Sequence, residues 1–120
     1  MWLTIMLVAD DATRARAALS LALAAAALGR AVQIYAHERA VALLAHHPRP
    51  DDDSTMLSAA GLPDRCALLA IARENGIAIT ACQTGLAMTG MTIDDLAPGV
   101  DAGGLMGVLA TLDPPNLVVF

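Results

Sequence analysis

Residues 2 to 8, WLTIMLV, are apolar except for Thr4, as expected for a strand covered on both faces of a parallel sheet. The run stops at Asp10-Asp11. Either aspartate can cap a following helix by accepting backbone N–H bonds. That helix extends to Gly29, a residue suited to a left-handed C-terminal cap. A second short strand follows over residues 31–36. Residues 37–45 support a short helix with Val41 and Leu44 facing inward.

Residues 46–61 break the alternation. Pro48, Pro50 and the consecutive aspartates 51–53 cannot continue a helix comfortably, so an exposed loop is expected there. Pro63 suits the first turn of the next helix, Asp64 favours its positive end, and Asn75-Gly76 stops it. Residues 77–81 read as a third strand. The segment 82–91 opens as a polar turn and becomes helical, and a turn at Asp94-Asp95-Leu96 ends at Pro98-Gly99. A glycine-weakened helix near 104–112 and a final apolar strand, 117–120, complete the chain. Strands alternating with helices across short connections predict right-handed βαβ units. The fold class is α/β, one domain over residues 1–120 on a mainly parallel sheet.

Hydrophobic residues make up 57% of the 120 positions and mean hydropathy is +0.59, above the roughly 45–50% apolar content of ordinary soluble domains. The strongest membrane candidate, residues 17–28, is shorter than the about 20 apolar residues that a span requires. Arg14, Arg16 and Arg30 also bracket it closely. Arg14 and Arg16 could form the basic region of a secretory leader, but a strand-like run upstream of them is foreign to such leaders. Burial between subunits is the remaining account of the apolar excess. Net charge is −5, with arginines and no lysine, and no basic cluster could neutralise a row of phosphates. The sequence therefore predicts no nucleic-acid partner and no membrane. Two cysteines, Cys66 and Cys82, are too few for a disulfide framework, which fits a reducing cytoplasm.

In open parallel sheets, ligands bind beyond the carboxyl ends of the strands. The first strand delivers Asp10 and Asp11 there, the second His37, and the third Cys82 with Gln83, Thr84 and Gly85. Only the thiol is a strong nucleophile once ionised, and an unperturbed cysteine is about 3% thiolate at neutral pH. Amides opening the helix after Cys82 would favour the thiolate, whereas a nearby Asp10 carboxylate would oppose it. The sequence leaves the sign of the net shift open. It also leaves open whether Cys82 is reactive or merely a small buried residue closing a strand. Cys66, beside Ala67, Leu68 and Leu69, reads as core packing.

The segment ITACQTGLAMTGMTIDDLAPGVDAGG, residues 79–104, resembles the DsrE/DsrF-like family, including its TusD-type sulfur-relay subunits. Cys82 stands at the family's cysteine position, Gly90-Met91 at its turn, and residues 96–100 at its L-x-x-G-V stretch, with Gly103-Gly104 after it. The element order is similar along nearly the whole chain. The resemblance implies a flavodoxin-like sheet with helices on both faces, homo-oligomers (trimers or hexamers), and a cysteine that carries sulfane sulfur as a persulfide without a cofactor. On that basis Cys82 is the expected catalytic residue. Gln83, Thr84, Gly85, Asp10 and His37 are the expected substrate-binding residues, and sulfur donor and acceptor proteins the expected partners. Thr84 and Gly85 depart modestly from the serine or similar small residue that many relatives carry after the cysteine.

There is no G-x-G-x-x-G, Walker loop or G-x-S-x-G, and the P-x-x-x-T-x-x-C arrangement of peroxiredoxins is missing. His37, His46 and His47 with Asp51, Asp52 and Asp53 could be imagined as zinc ligands, but adjacent histidines in a proline-broken loop do not readily converge on one ion. They read as solvated loop residues, and no metal is expected. Met56, Met88, Met91 and Met106 read as core or interface packing. The reading set against a sulfur carrier is a non-catalytic oligomeric module that holds a small ligand or partner peptide in the same strand-end cleft. Self-assembly is expected from the helix over residues 12–28, which from Ala17 onward offers only Ser20 as a polar residue.

Overall fold

The computed structural model describes residues 2–46, 50–112 and 116–120. Five strands, β1 (Trp2–Leu7), β2 (Ala31–Ala36), β3 (Ala78–Cys82), β4 (Asp101–Gly103) and β5 (Leu117–Val119), form one sheet in the order β4-β3-β2-β1-β5. Every pairing is parallel. Five α-helices accompany them: α1 (Ala12–Ala27), α2 (Ser54–Ala59), α3 (Arg65–Glu74), α4 (Gln83–Thr89) and α5 (Leu105–Thr111). A 3₁₀ segment, Glu38–Leu44, follows β2.

Side chains alternate across the sheet, so each strand serves two faces. Leu7, Ile34 and Ile79 point to the face on which Ala15 and Leu19 of α1 and Leu69 of α3 pack. All three strand residues are buried. On the opposite face Gln33 donates to Thr4 Oγ1 at 2.8 Å and to Thr111 Oγ1 of α5 at 2.7 Å. Thr4 is fully buried, and this bond satisfies its hydroxyl. Helices therefore cover both faces, and the side shared by Gln33, Tyr35, Thr80 and Cys82 belongs to the α5 face.

The capping signals act as expected at α1. Asp11 accepts the Arg14 amide at 2.9 Å, and Gly29 adopts φ +84° just beyond the helix. At α3 the cap is Asp64, whose carboxylate accepts the Ala67 amide at 2.9 Å. Pro63 therefore stands before the cap and not in the first turn. The Ala67 amide, with help from the Ser54 hydroxyl, holds the Asp64 carboxyl below its usual range.

The structure differs from the sequence-based expectation in three further places. The stretch 46–61 contains α2, and two of its three acids are fastened to cations. Asp51 pairs with Arg65 at 3.1 Å and Asp53 with Arg16 at 2.6 Å, while Asp52 is exposed and Met56, on α2, faces solvent and is not core packing. His47, Pro48 and Arg49 lie outside the described residues. Strand β4 was not anticipated, because Asp-Ala-Gly has neither an apolar run nor strand propensity and is held by its pairing to β3. Cys66 is half-buried and outside the core cluster, and burial pushes its thiol up.

Candidate functional site

Cys82 is both the last residue of β3 and the N-cap of α4. Extended backbone at Cys82 (φ −63°, ψ 126°) turns the chain so that the Gly85 N–H points back at Sγ, 3.4 Å away. The Thr84 amide also donates to the sulfur. Across the sheet, Ala36 pairs with Ala81 and Tyr35 with Thr80, which places Tyr35 diagonal to Cys82 on the same face. Its hydroxyl donates to the sulfur. The Glu38 N–H, from the turn after β2, completes the set.

These donors decide the electrostatics. Burial of Cys82, 5% exposed, disfavours the thiolate. Hydrogen bonds from Tyr35, Glu38, Gly85 and Thr84 outweigh that penalty, and the thiol pKa is lowered from its ordinary value. Tyr35 moves the opposite way. Its burial, then its bond to Cys82 and the charge there, push the phenol well above its ordinary range, so it stays a donor.

Glu38 is the one non-glycine among the described residues with positive φ, at +48°, a conformation that costs a residue of this type about 1–3 kcal/mol. Its carbonyl lies against Gly85. A Cβ at position 85 would overlap the Glu38 carbonyl oxygen and come within 2.6 Å of Val41 Cγ2. Gly85 thus lets α4 approach the 3₁₀ segment closely enough for both to present amides to one sulfur. The side chain of Glu38 meets His37 Nε2 at 3.2 Å. His37 Nδ1 is buried without a hydrogen-bond partner, and the imidazole lies 6.0 Å from the Tyr35 ring.

A cleft of about 280 Å³ opens onto this cluster, lined by Cys82, Tyr35, His37, Glu38, Gln83 and Thr84, with Gly103, Gly104 and Leu105 on the β4–α5 side. Of the expected site residues, the structure brings together Cys82, Gln83, Thr84, Gly85 and His37. Asp10 is not with them. It lines a separate cavity of about 680 Å³ with Asp51–Asp53 and Arg65, because β2 separates β1 from β3 and the 3₁₀ segment fills the space between. The strand order reverses beside β1, so the thiol is also two strands from the reversal. The acidic neighbour of the thiol is Glu38.

Sequence reasoning missed Tyr35 and Glu38. Tyr35 had a signal: it is the single tyrosine, two residues before His37 and therefore on its face of the strand. Glu38 had none, since a left-handed glutamate leaves no mark in the sequence. Among the described residues no group of three or more histidines, cysteines or acids is arranged to hold a metal ion, and both cysteines are free thiols.

An all-parallel α/β domain with a donor-cradled cysteine at the carboxyl edge of its sheet is the class that fold and site define. The chain belongs to the DsrE/DsrF-like family, whose model matches residues 3–113. No curated protein matches it significantly by sequence. Among solved structures it is similar to the YchN protein of E. coli, with TM-score 0.75 and 19% identity, covering 98% of each chain. It is also similar to MTH1491 of Methanobacterium thermoautotrophicum, described as a protein of unknown function. There the TM-score is 0.68 at 20% identity, covering 99% of this chain and 96% of the other. At these identities the likeness establishes the fold alone. No helix among the described residues is long and apolar enough to cross a membrane.

Proposed function

We propose that the protein is a sulfur carrier in which Cys82 accepts sulfane sulfur as a persulfide and hands it to an acceptor. The observation that carries this reading is the buried thiol with four donors aimed at it, opening into a cleft. Family membership supports it. In the loading step the Cys82 thiolate attacks the outer sulfur of a donor persulfide, R–S–SH. A new S–S bond forms to Sγ, the donor S–S bond breaks, and its electron pair leaves with R–S⁻. Atoms and charge balance without a metal or an added oxidant. Gly85, Thr84 and Glu38 amides and the Tyr35 hydroxyl stabilise the attacking anion before transfer. The same donors favour a carrier over a module that merely holds a ligand, because they are directed at the sulfur itself.

Intact-protein mass spectrometry after incubation with a persulfide donor tests the proposal. The expected result is a gain of one sulfur atom that is absent from Cys82→Ser. A gain that survives this substitution would remove Cys82 as the carrier. Self-assembly into a homo-oligomer is part of the same proposal, supported by exposed apolar side chains along α1 and its C-cap and on α5, among them the C-cap Leu28 at 83% and Met106 at 87%.

A further inference from the structure

The charge of the cleft bears on which donors can enter it. Its lining carries one carboxylate, Glu38, half-exposed and facing His37, and neither arginine nor lysine. The described arginines are engaged or placed elsewhere. Arg14 and Arg16 lie on α1, and Arg16 pairs with Asp53. Arg65 is buried against Asp51, and Arg73 donates to the Pro98 carbonyl. Arg30 binds Asn116 across the opposite end of the sheet. Arg39 follows Glu38 in sequence but is exposed and does not line the cleft.

The Gly85, Thr84 and Glu38 amides and the Tyr35 hydroxyl are taken up by Sγ itself. A second anion brought to the sulfur therefore meets a thiolate and a carboxylate, with no fixed cation to offset either. The net charge of −5 repels anions at longer range as well.

We propose that the cleft rejects anionic sulfur donors, sulfur oxyanions such as thiosulfate above all, and accepts persulfides borne on a polypeptide segment with basic side chains beside the sulfur. This rests on the carrier reading above and specifies its substrate class. Thiosulfate could in principle load the same thiolate. Its outer sulfur would pass to Sγ, its S–S bond would break, and sulfite would leave with the electron pair. The balance is correct, but the approach places a dianion against a thiolate and Glu38. A cysteine persulfide flanked by arginine brings its sulfur in with compensating charge, which can pair with Glu38 at the cleft mouth.

The test uses the full chain carrying Cys66→Ser, so that one thiol reports. It is offered thiosulfate and two synthetic peptide persulfides of equal length, one flanked by arginine and one by glutamate. Loading is followed by mass spectrometry at low and high salt. The expected result is that the arginine-flanked peptide loads about tenfold faster than the glutamate-flanked one at low salt, the scale of electrostatic steering. The gap should narrow at high salt and in Glu38→Gln, and thiosulfate should not load. Equal rates for the two peptides, or loading by thiosulfate, overturn the charge rule while leaving the carrier reading intact. Failure of all three donors overturns the carrier reading and this inference with it. Alkylation gives a readout that needs no sulfur transfer. Cys82 should react with neutral iodoacetamide in greater preference to anionic iodoacetate than a free thiol does, and Glu38→Gln should reduce that preference.

Discussion

The α-carbon of Gly85 rests against the carbonyl group of Glu38 so closely that a side chain of any size at position 85 would overlap it. The contact joins two segments that share no strand pairing, the start of α4 and the turn after β2, and both supply an amide to Cys82. Gly85→Ala must push them apart. Overpacking of this kind costs about 1–3 kcal/mol, and the displaced Glu38 and Gly85 amides would release the sulfur. The expected outcome is a lower urea midpoint together with slower alkylation of Cys82 at neutral pH. An alanine variant with unchanged stability and reactivity would show that the contact is not needed.

Tyr35→Phe separates the chemistry of the site from its packing. The ring stays in a buried position, 1% exposed, while the hydroxyl that donates to the sulfur is lost. A hydrogen bond to a charged group is worth about 1.5–3 kcal/mol, so iodoacetamide should react with Cys82 roughly tenfold more slowly at neutral pH. The sign of the pH effect on stability follows from linkage. The folded thiol ionises below its ordinary value of 9.0, so its contribution is fully present above that value and disappears as pH falls through the folded pKa. The stability difference between the native chain and Cys82→Ser should therefore grow as pH is raised from neutral toward 9, and grow less in the Tyr35→Phe background. Denaturant midpoints across that range provide the measurement.

Much of this architecture was legible in the residues themselves. An almost wholly apolar run at 2–8, Asp11 before a helical stretch and Gly29 after it are local signals, and local physics decides them. Cys82, Thr84, Gly85 and His37 could be placed at one sheet edge because strand ends and helix starts fix where such residues emerge. Asp10 was misplaced for a different reason. Which strands are neighbours is a tertiary fact, and the insertion of β2 between β1 and β3 removes Asp10 from the thiol. Strand β4 shows the same limit: three residues, Asp101, Ala102 and Gly103, become a strand only through the partner they pair with.

The acidic stretch after Pro50 is where burial most altered the expectation. Arg65 is 4% exposed, and its guanidinium binds both carboxylate oxygens of Asp51 and the Leu43 carbonyl. Asp51→Ala leaves a buried cation without its carboxylate, a change that costs about 3–5 kcal/mol. Adding Arg65→Met should restore part of the loss, since the double variant buries no charge. Thermal or urea unfolding of the three variants measures the coupling. If Asp51→Ala is as stable as the native chain, this stretch behaves as the solvated loop its composition suggested.

Helix α1 presents Ala15, Ala18, Leu19, Ala22 and Ala25 to the core, which accounts for one side of its apolar sequence. The other side carries Ala17, Ser20, Leu21 and Ala24, and the C-cap Leu28 follows them, all exposed. Leu28 in particular is 83% open. A helix stripe of alanine and leucine facing water gains nothing from the fold of its own chain, whereas a partner surface laid on it would remove that area from solvent at roughly 25 cal/mol per Å². Small alanine side chains also allow two backbones to approach closely. The chain should therefore scatter light as a multiple of its 12.3 kDa mass at micromolar concentration. Leu21→Glu places a carboxylate in the middle of the stripe without touching the core, and it should shift the distribution toward the single chain. Met106→Glu on α5, at the other exposed apolar surface, shows which of the two faces carries the contact. A native chain that scatters as a clean 12.3 kDa species would sink the idea of self-assembly, and a Leu21→Glu variant that assembles unchanged would take α1 out of the interface.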